Sequence, residues 1–438
     1  MSSPPAPGSG ATTRTGRRCT LDPGPRWASL PDDLVAVVAS RALAGDLLDY
    51  VRFRAVCTGW RSATASPRGR GVADPRFHPR RWMMLPKNHC LYSGHLDPRG
   101  YVGFLNLDTG AVVRVRLPLL GDHSAIDSVD GLLLLLQNED QEGAVRLLHP
   151  FTGDVAELPP LGTLLPQLGT QLLSFPAQYR IRKLANNAFA SVSFSDDGAM
   201  TIMIALHEVR RVAFATSVER HWTLSSWEYP QCYTSPVSSQ GKLYMVCPSS
   251  GQSNGHQILQ INPPVHGGAG TGGALQPPKL MATIPARKLV FPRGLVECGS
   301  KILVLGHKDF SESQILVCKL EDLVMKWFIP IKSIGGNTLF LGERNISVSS
   351  KVLSTVKGDN VVYIHSTQSY VAHYHLRSGT LSSAIDDYSL YGRAPGPSSL
   401  THYIFSCCIR NRWYEQRNDI QNESRKFVRC KVKSKFHI

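Results

Sequence analysis

No stretch of this 438-residue sequence stays apolar long enough to make a membrane-crossing helix. Pure aliphatic runs such as Leu132 to Leu136 are short, against the roughly 20 residues such a helix needs. Charge is scarce as well: Asp, Glu, Lys and Arg make up 18% of the chain, below the usual quarter. Hydrophobic residues nevertheless reach 42%, too many for a disordered chain and enough for a real core. The ten cysteines have no framework spacing, and several sit in apolar runs such as Ile315-Leu316-Val317-Cys318. Met1 to Gly10 is mostly Ser, Pro and Gly without an apolar segment, so no secretory signal is expected. Reduced, mostly buried thiols in a protein of the nucleus and/or cytoplasm follow from these two features.

Signatures of chemistry are missing too. The sequence holds no His-Glu-x-x-His and no Cys-x-x-Cys. His373 and His375 share one face of an expected strand, but no third ligand accompanies them. Gly267 to Gly273 has the glycines of a phosphate loop without the Gly-Lys-Ser/Thr that makes one, and reads as an insertion between strands. Cys407-Cys408 reads as packing on a C-terminal helix, and Asp386-Asp387 as a solvated turn. No catalytic residue, cofactor or metal ligand is assigned, and the chain is expected not to be an enzyme.

The net charge of +15 is concentrated at the ends. Residues 1–80 carry +6 and residues 409–438 carry +6, leaving +3 for everything between. A nucleic-acid-binding domain would place its basic face on the folded body. Neither a nucleic-acid nor a membrane partner is therefore expected, and the basic tail reads as solvated.

What is present falls into two patterns. Residues 1–26 read as disordered and residues 27–66 as a compact helical unit. Ser29-Leu30-Pro31-Asp32-Asp33 has the capping Ser, the early Pro and the acids of a helix start. Leu34, Val35, Val38 and Ala39 follow at helical spacing. Gly45 breaks this helix, Asp46 opens a second, and Val56, Cys57 and Trp60 lie on a third. Forty residues bury little surface alone, so this unit is expected to need a partner or a neighbouring domain. The Arg-, Gly- and Pro-rich stretch 67–80 reads as a linker.

From residue 81 to about 393, short apolar runs recur behind glycines. Examples are Gly131 before Leu132–Leu136 and Gly241 before Leu243–Val246. A second signature repeats at Asn106 to Val112, His149 to Val155 and Tyr374 to Leu381, each a strand, a Ser/Thr-Gly turn and a returning strand. Gly110 and Gly153 are 43 residues apart, about one four-stranded blade. An all-β propeller of six or seven degenerate blades is expected after the small all-α unit, with a β-sandwich pair as the alternative. Residues 394–438 are left for a C-terminal helix and the basic tail.

Two resemblances sharpen this reading. Trp27-Ala28-Ser29-Leu30-Pro31-Asp32-Asp33-Leu34 and Phe53-Arg54-Ala55-Val56-Cys57-Thr58-Gly59-Trp60-Arg61 together resemble the opening and close of an F-box. The middle, Ala42 to Asp46, is looser than the usual turn. Residues Thr338 to Val348 and Lys357 to Ile364 resemble the plant KIB-type β-propeller, and Pro397 to Phe405 resembles its grass members. The resemblance implies a substrate-recognition subunit of a Skp–cullin–F-box ubiquitin ligase. Its partners would be a Skp-type adaptor with its cullin complex and an unknown protein target. Leu30, Pro31, Leu34, Val38, Val56 and Trp60 would bind the adaptor. The alternative is a propeller interaction protein that regulates a partner without any ligase.

Overall fold

A computed structural model describes residues 27–85 and 100–383, except 139, 171, 173, 196–197, 233, 250–254, 265–272, 352, 354–355 and 366–370, together with 401, 404–405 and 408. The stretches read as a disordered N-terminus and a basic tail lie outside the described residues, as do Asp386-Asp387, Cys407 and most of Gly267 to Gly273. The chain divides into two units, one ending at Ala65 and one beginning at Ser66.

The first unit holds α1 (Asp32–Gly45), α2 (Leu47–Arg54) and α3 (Thr58–Ser62). Ser29 was expected to cap α1, but Trp27–Ser29 winds into a 3-10 turn of its own. Pro31 then stands just before the helix, where its missing N–H costs nothing. Asp32 and Asp33 lie at the positive end of the dipole. The stretch Ala42 to Gly45, which looked loose, continues α1, and the Asp46 N–H closes it on the Ala42 carbonyl at 2.9 Å. Val35, Ala39, Leu47 and Tyr50 are buried and form the small core. Tyr50 donates its hydroxyl to the Ala65 carbonyl at 2.7 Å, tying α2 to the end of the unit.

The second unit is a six-bladed β-propeller. Blade 1 is β1 (Trp82–Met84), β2 (Tyr101–Asn106) and β3 (Val112–Arg116). Blade 2 is β4 (His123–Val129), β5 (Leu132–Gln137), β6 (Val145–Leu148) and β7 (Val155–Leu158). After helix α4 (Ala177–Ala185), blade 3 is β8 (Ala188–Phe194), β9 (Met200–Leu206), β10 (Arg211–Thr216) and β11 (Thr223–Leu224). Blade 4 is β12 (Val237–Ser239), β13 (Lys242–Pro248), β14 (Gly255–Ile261) and β15 (Lys279–Pro285). Blade 5 has three strands, β16 (Phe291–Cys298), β17 (Lys301–His307) and β18 (Ile315–Lys319), and leads into α5 (Leu320–Val324). Blade 6 contains β19 (Asn337–Leu341), β20 (Ile346–Ser349), β21 (Asn360–Ile364), β22 (Val371–His375) and β23 (Thr380–Ser383). Its order is β20-β19-β21-β22-β23, with β19 and β21 parallel.

The apolar runs of the sequence become the strands that are covered on both faces. All seven residues of β9 and the first five of β5 are buried, because a neighbouring blade packs on each side. Outer strands such as β3 and β23 are largely exposed and carry mixed sequence. The turn from β4 to β5 needs φ of +51° at Asp130 and +82° at Gly131, the two-residue hairpin that Asp-Gly favours. A side chain at Gly131 would also run into the Pro79 carbonyl.

The ring closes on itself through its cores. Trp82 and Phe104 of blade 1 pack on Phe151 beside blade 2, with ring centres 5.1 and 5.3 Å apart. Separate apolar clusters then join blades 2 and 3, 3 and 4, 4 and 5, and 5 and 6. The last cluster sets Met83, Leu105 and Leu107 of blade 1 against Phe340, Val348 and Val362 of blade 6. Ile404, Phe405 and Cys408 fill the same seam. Polar ties near the axis follow the same circuit. The Ala190 N–H reaches Asp127 Oδ2 (2.7 Å), Ser239 reaches Glu297 (2.7 Å), and Arg81 reaches the Ser347 carbonyl (3.1 Å).

Residues 67–80, read as a linker, are part of this unit. Val72, Phe77 and His78 are buried, and Pro67 is buried with them. Glycine and proline content concealed these buried residues.

Candidate interaction surfaces

Six sequence-selected residues were assigned to one docking surface, and the structure separates them. Leu34 (48% exposed), Val38 (46%) and Val56 (61%) stand open to solvent, as does Pro31. Leu30 and Trp60 are half-buried. Trp60 stacks on Phe53 with ring centres 4.3 Å apart and donates its indole N–H to the Trp27 carbonyl at 3.1 Å. Its own backbone N–H meets the Cys57 sulfur at 3.4 Å. Much of Trp60 therefore holds α3 against the rest of the unit.

Helix α1 carries two apolar stripes. Val35 and Ala39 are four residues apart and face the core. Leu34, Val37 and Val38 follow the i, i+3, i+4 spacing and face outward. Adjacent helical residues differ by about 100° in direction, so the sequence alone could not say which stripe turns inward. Exposed Val37, Val51 and Trp27 were missed by the sequence reading. For Val37 the signal was present, three positions after Leu34. Exposed apolar side chains at this density mark a contact surface.

The propeller has a second exposed apolar segment. Val324, Met325, Trp327 and Ile329 are open to solvent, while Phe328 packs on the core between blades 4 and 5. The segment leaves α5, which rests on β15 and β17. Its signal in the sequence was the run Leu323-Val324-Met325-Lys326-Trp327-Phe328-Ile329, interrupted by one charge.

The histidines of the repeat serve the turns. Gly110, Gly153 and Gly379 each donate a backbone N–H to the residue four back, at 2.9, 3.0 and 2.9 Å. Those residues are Asn106, His149 and His375. The side chain of each then accepts backbone N–H groups of its own turn. Asn106 Oδ1 takes Asp108 and Thr109, His149 Nδ1 takes Phe151 and Thr152, and His375 Nδ1 takes Ser378. His375 also pairs with the Ser378 hydroxyl at 2.7 Å. The His373–His375 pair thus has a structural use on one side. His373 is half-buried, and burial lowers its pKa. No group of three or more His, Cys, Asp and Glu suited to a metal occurs among the described residues.

A polar plug lies between blades 5 and 6. Arg293 pairs with Glu312 at 2.8 Å and sits 5.6 Å from the Tyr363 ring centre. His307 meets the same ring edge-on at 5.5 Å. Burial, then the Arg293 charge, pushes the His307 pKa down to about 4. These groups fill space and hold one another.

Six radial blades with apolar seams define a β-propeller protein. The chain belongs to the KIB1-4 beta-propeller family, whose model matches residues 104–383. A KIB-type propeller is typically a non-catalytic interaction scaffold. No curated protein matches the chain. Among solved structures, the crystal structure of TolB from Acinetobacter baumannii is similar at a TM-score of 0.32 and 12% identity. The match covers 68% of this chain and 62% of that one, too weak a likeness to inform function.

Proposed function

We propose that this protein is the substrate-recognition subunit of a Skp–cullin–F-box ubiquitin ligase, working in the nucleus and/or cytoplasm. The helical unit docks a Skp-type adaptor, and the propeller recruits a protein target. The observation that carries the reading is the outward stripe Leu34, Val37 and Val38 on α1, on a unit whose motif halves resemble an F-box. A second helix laid along such a stripe buries apolar side chains at i, i+3 and i+4. The continuous α1 through Gly45 supports the same reading, since it replaces the loose turn that counted against it. We assign target contact to the exposed Met325, Trp327 and Ile329 segment.

Co-purification of the full chain with a plant Skp-type adaptor tests the first half. Wild type is expected to bind, and Leu34→Asp with Val38→Asp to lose binding. Equal recovery of both would sink the proposal. Proximity labelling with and without a proteasome inhibitor tests the second half. Neighbours that accumulate under the inhibitor, and disappear with Met325→Ala and Trp327→Ala, are the expected targets. Neighbours indifferent to the inhibitor would favour a regulatory propeller outside any ligase.

A further inference from the structure

Six cysteines lie among the described residues as free thiols, and two of them face each other across a blade seam. Cys232 Sγ and Cys247 Sγ are 2.7 Å apart. Cys232 sits in the connection between β11 and β12, while Cys247 sits on β13. Both sulfurs lie near one carbonyl, that of Pro230, at 3.3 and 3.7 Å. They share a buried cluster with Met203 and Phe214 of blade 3 and Met245 and Leu259 of blade 4. Neither thiol is committed to another side chain in the described structure, and each has the other as its nearest chemistry.

We propose that Cys232 and Cys247 form a reversible disulfide that pins the blade 3–blade 4 connection to β13, with a small disulfide of the glutathione type as oxidant. The Cys232 thiolate attacks one sulfur of the small disulfide and expels the first small thiolate. The Cys247 thiolate then attacks the Cys232 sulfur of the mixed disulfide and expels the second. Two protein thiols lose two electrons and two protons; the small disulfide gains both and leaves as two thiols. Cys232 is the entry point because it retains 8% exposure, whereas Cys247 has none. The hydrogen bond with Cys247, and then burial, raises the Cys232 pKa, so reaction waits on local opening of the 225–236 connection. Once the mixed disulfide forms, the resolving sulfur is already in place. The bond then closes a loop of 14 intervening residues and limits how far that connection can open.

The test uses the full chain, reduced, freed of reductant and incubated over a range of oxidised-to-reduced glutathione ratios. Remaining thiols are alkylated in urea, and the chain is digested without reductant for mass spectrometry. Cys232 and Cys247 are expected to lose alkylation together, to appear in one linked peptide pair lighter by two hydrogens, and to be restored by dithiothreitol. Cys318, buried in an apolar cluster that holds no other cysteine among the described residues, is expected to stay alkylatable and serves as the internal control. Cys247→Ser should trap glutathione on Cys232. If that variant does not fold, the wild-type peptide map decides alone. Full alkylation of both cysteines at every ratio, or linkage of Cys232 to a different cysteine, would overturn the proposal.

Discussion

Gly71 donates its backbone N–H to Asp154 Oδ2 at 2.7 Å, across 83 residues of chain. Gly69 does the same to Oδ1 at 2.9 Å. One carboxylate at the β6–β7 turn thus fastens the segment before the first blade onto the second. A Cβ at Gly71 would lie 2.5 Å from Thr152 Oγ1 and 2.9 Å from Asp154 Oδ2, so only glycine fits beneath the turn. The pKa of Asp154 is lowered: its partial burial opposes this, but the Gly69 and Gly71 donors and the Thr152 hydroxyl together prevail.

Asp154→Ala removes both acceptors and leaves two backbone donors without their partner. The expected loss is about 1–3 kcal/mol of propeller stability. Gly71→Ala is expected to cost at least as much, through overlap with Thr152 and His149. Urea unfolding followed by tryptophan fluorescence measures both. If either variant unfolds at the wild-type midpoint, residues 66–80 are no part of the fold's stability.

Acid should loosen the propeller before it protonates most carboxylates. His307 is fully buried, and neither ring nitrogen has a hydrogen-bond partner among the described residues. Its pKa of about 4 lies below the roughly 6.5 of an unfolded histidine. Between those values the unfolded chain binds the extra proton. Stability is therefore full above about pH 6.5 and falls as pH drops toward 4. His149 works in the same direction, lowered first by burial, and its Nδ1 must stay unprotonated to accept the Phe151 and Thr152 N–H groups. His307→Leu is expected to flatten the fall between pH 6.5 and 4 by up to about 3 kcal/mol. Urea midpoints measured across that range decide it, and parallel profiles for variant and wild type would refute the assignment.

The parts of the fold legible in the sequence were those governed by local chemistry. Asn106, His149 and His375 each stand four residues before a turn glycine, and that spacing is what gives three turns the same hydrogen bonds. The apolar run Met200 to Leu206 is β9 residue for residue. The choice between six and seven blades was not legible, because among the described residues blade 5 has no fourth strand and blade 6 inserts β20 as its first strand by a reversed hairpin. Both depend on distant partners, such as Ser347, whose hydroxyl meets the Glu297 carbonyl at 2.9 Å. The docking stripe was half legible. Leu34 and Val35 each begin an apolar series at helical spacing, and only the packing of α2 turns one of them inward.

Asp127 is the clearest single tie between inner strands. It is buried on β4, accepts the Ala190 N–H of β8 at 2.7 Å on one oxygen, and accepts its neighbour Ser128 at 2.8 Å on the other. Asp127→Ala would leave a buried donor on blade 3, costing about 1–3 kcal/mol. Asp127→Asn keeps one carbonyl acceptor and should recover part of the loss. Thermal unfolding of the three proteins tests the order wild type, Asn, Ala; an Ala variant as stable as wild type would show that the two blades are held by their apolar seam alone.

The helical unit allows surface and core to be separated by substitution. Val38 is exposed on α1, whereas Leu47 is buried under it. Val38→Asp removes an exposed apolar group, so helix content and melting behaviour should stay within about 0.5 kcal/mol of wild type. Leu47→Ala empties part of a small core and should cost about 2–3 kcal/mol. Tyr50→Phe, losing its bond to the Ala65 carbonyl, should cost about 1 kcal/mol. Adaptor binding is expected to follow a different order, with Val38→Asp weakened at least tenfold and Tyr50→Phe near wild type. Circular dichroism and a titration with the adaptor, run on the same three full-length variants, give both orders. If binding tracks stability across the set, the outward stripe of α1 is not the docking surface, and the role assigned to Leu34 and Val38 falls with it.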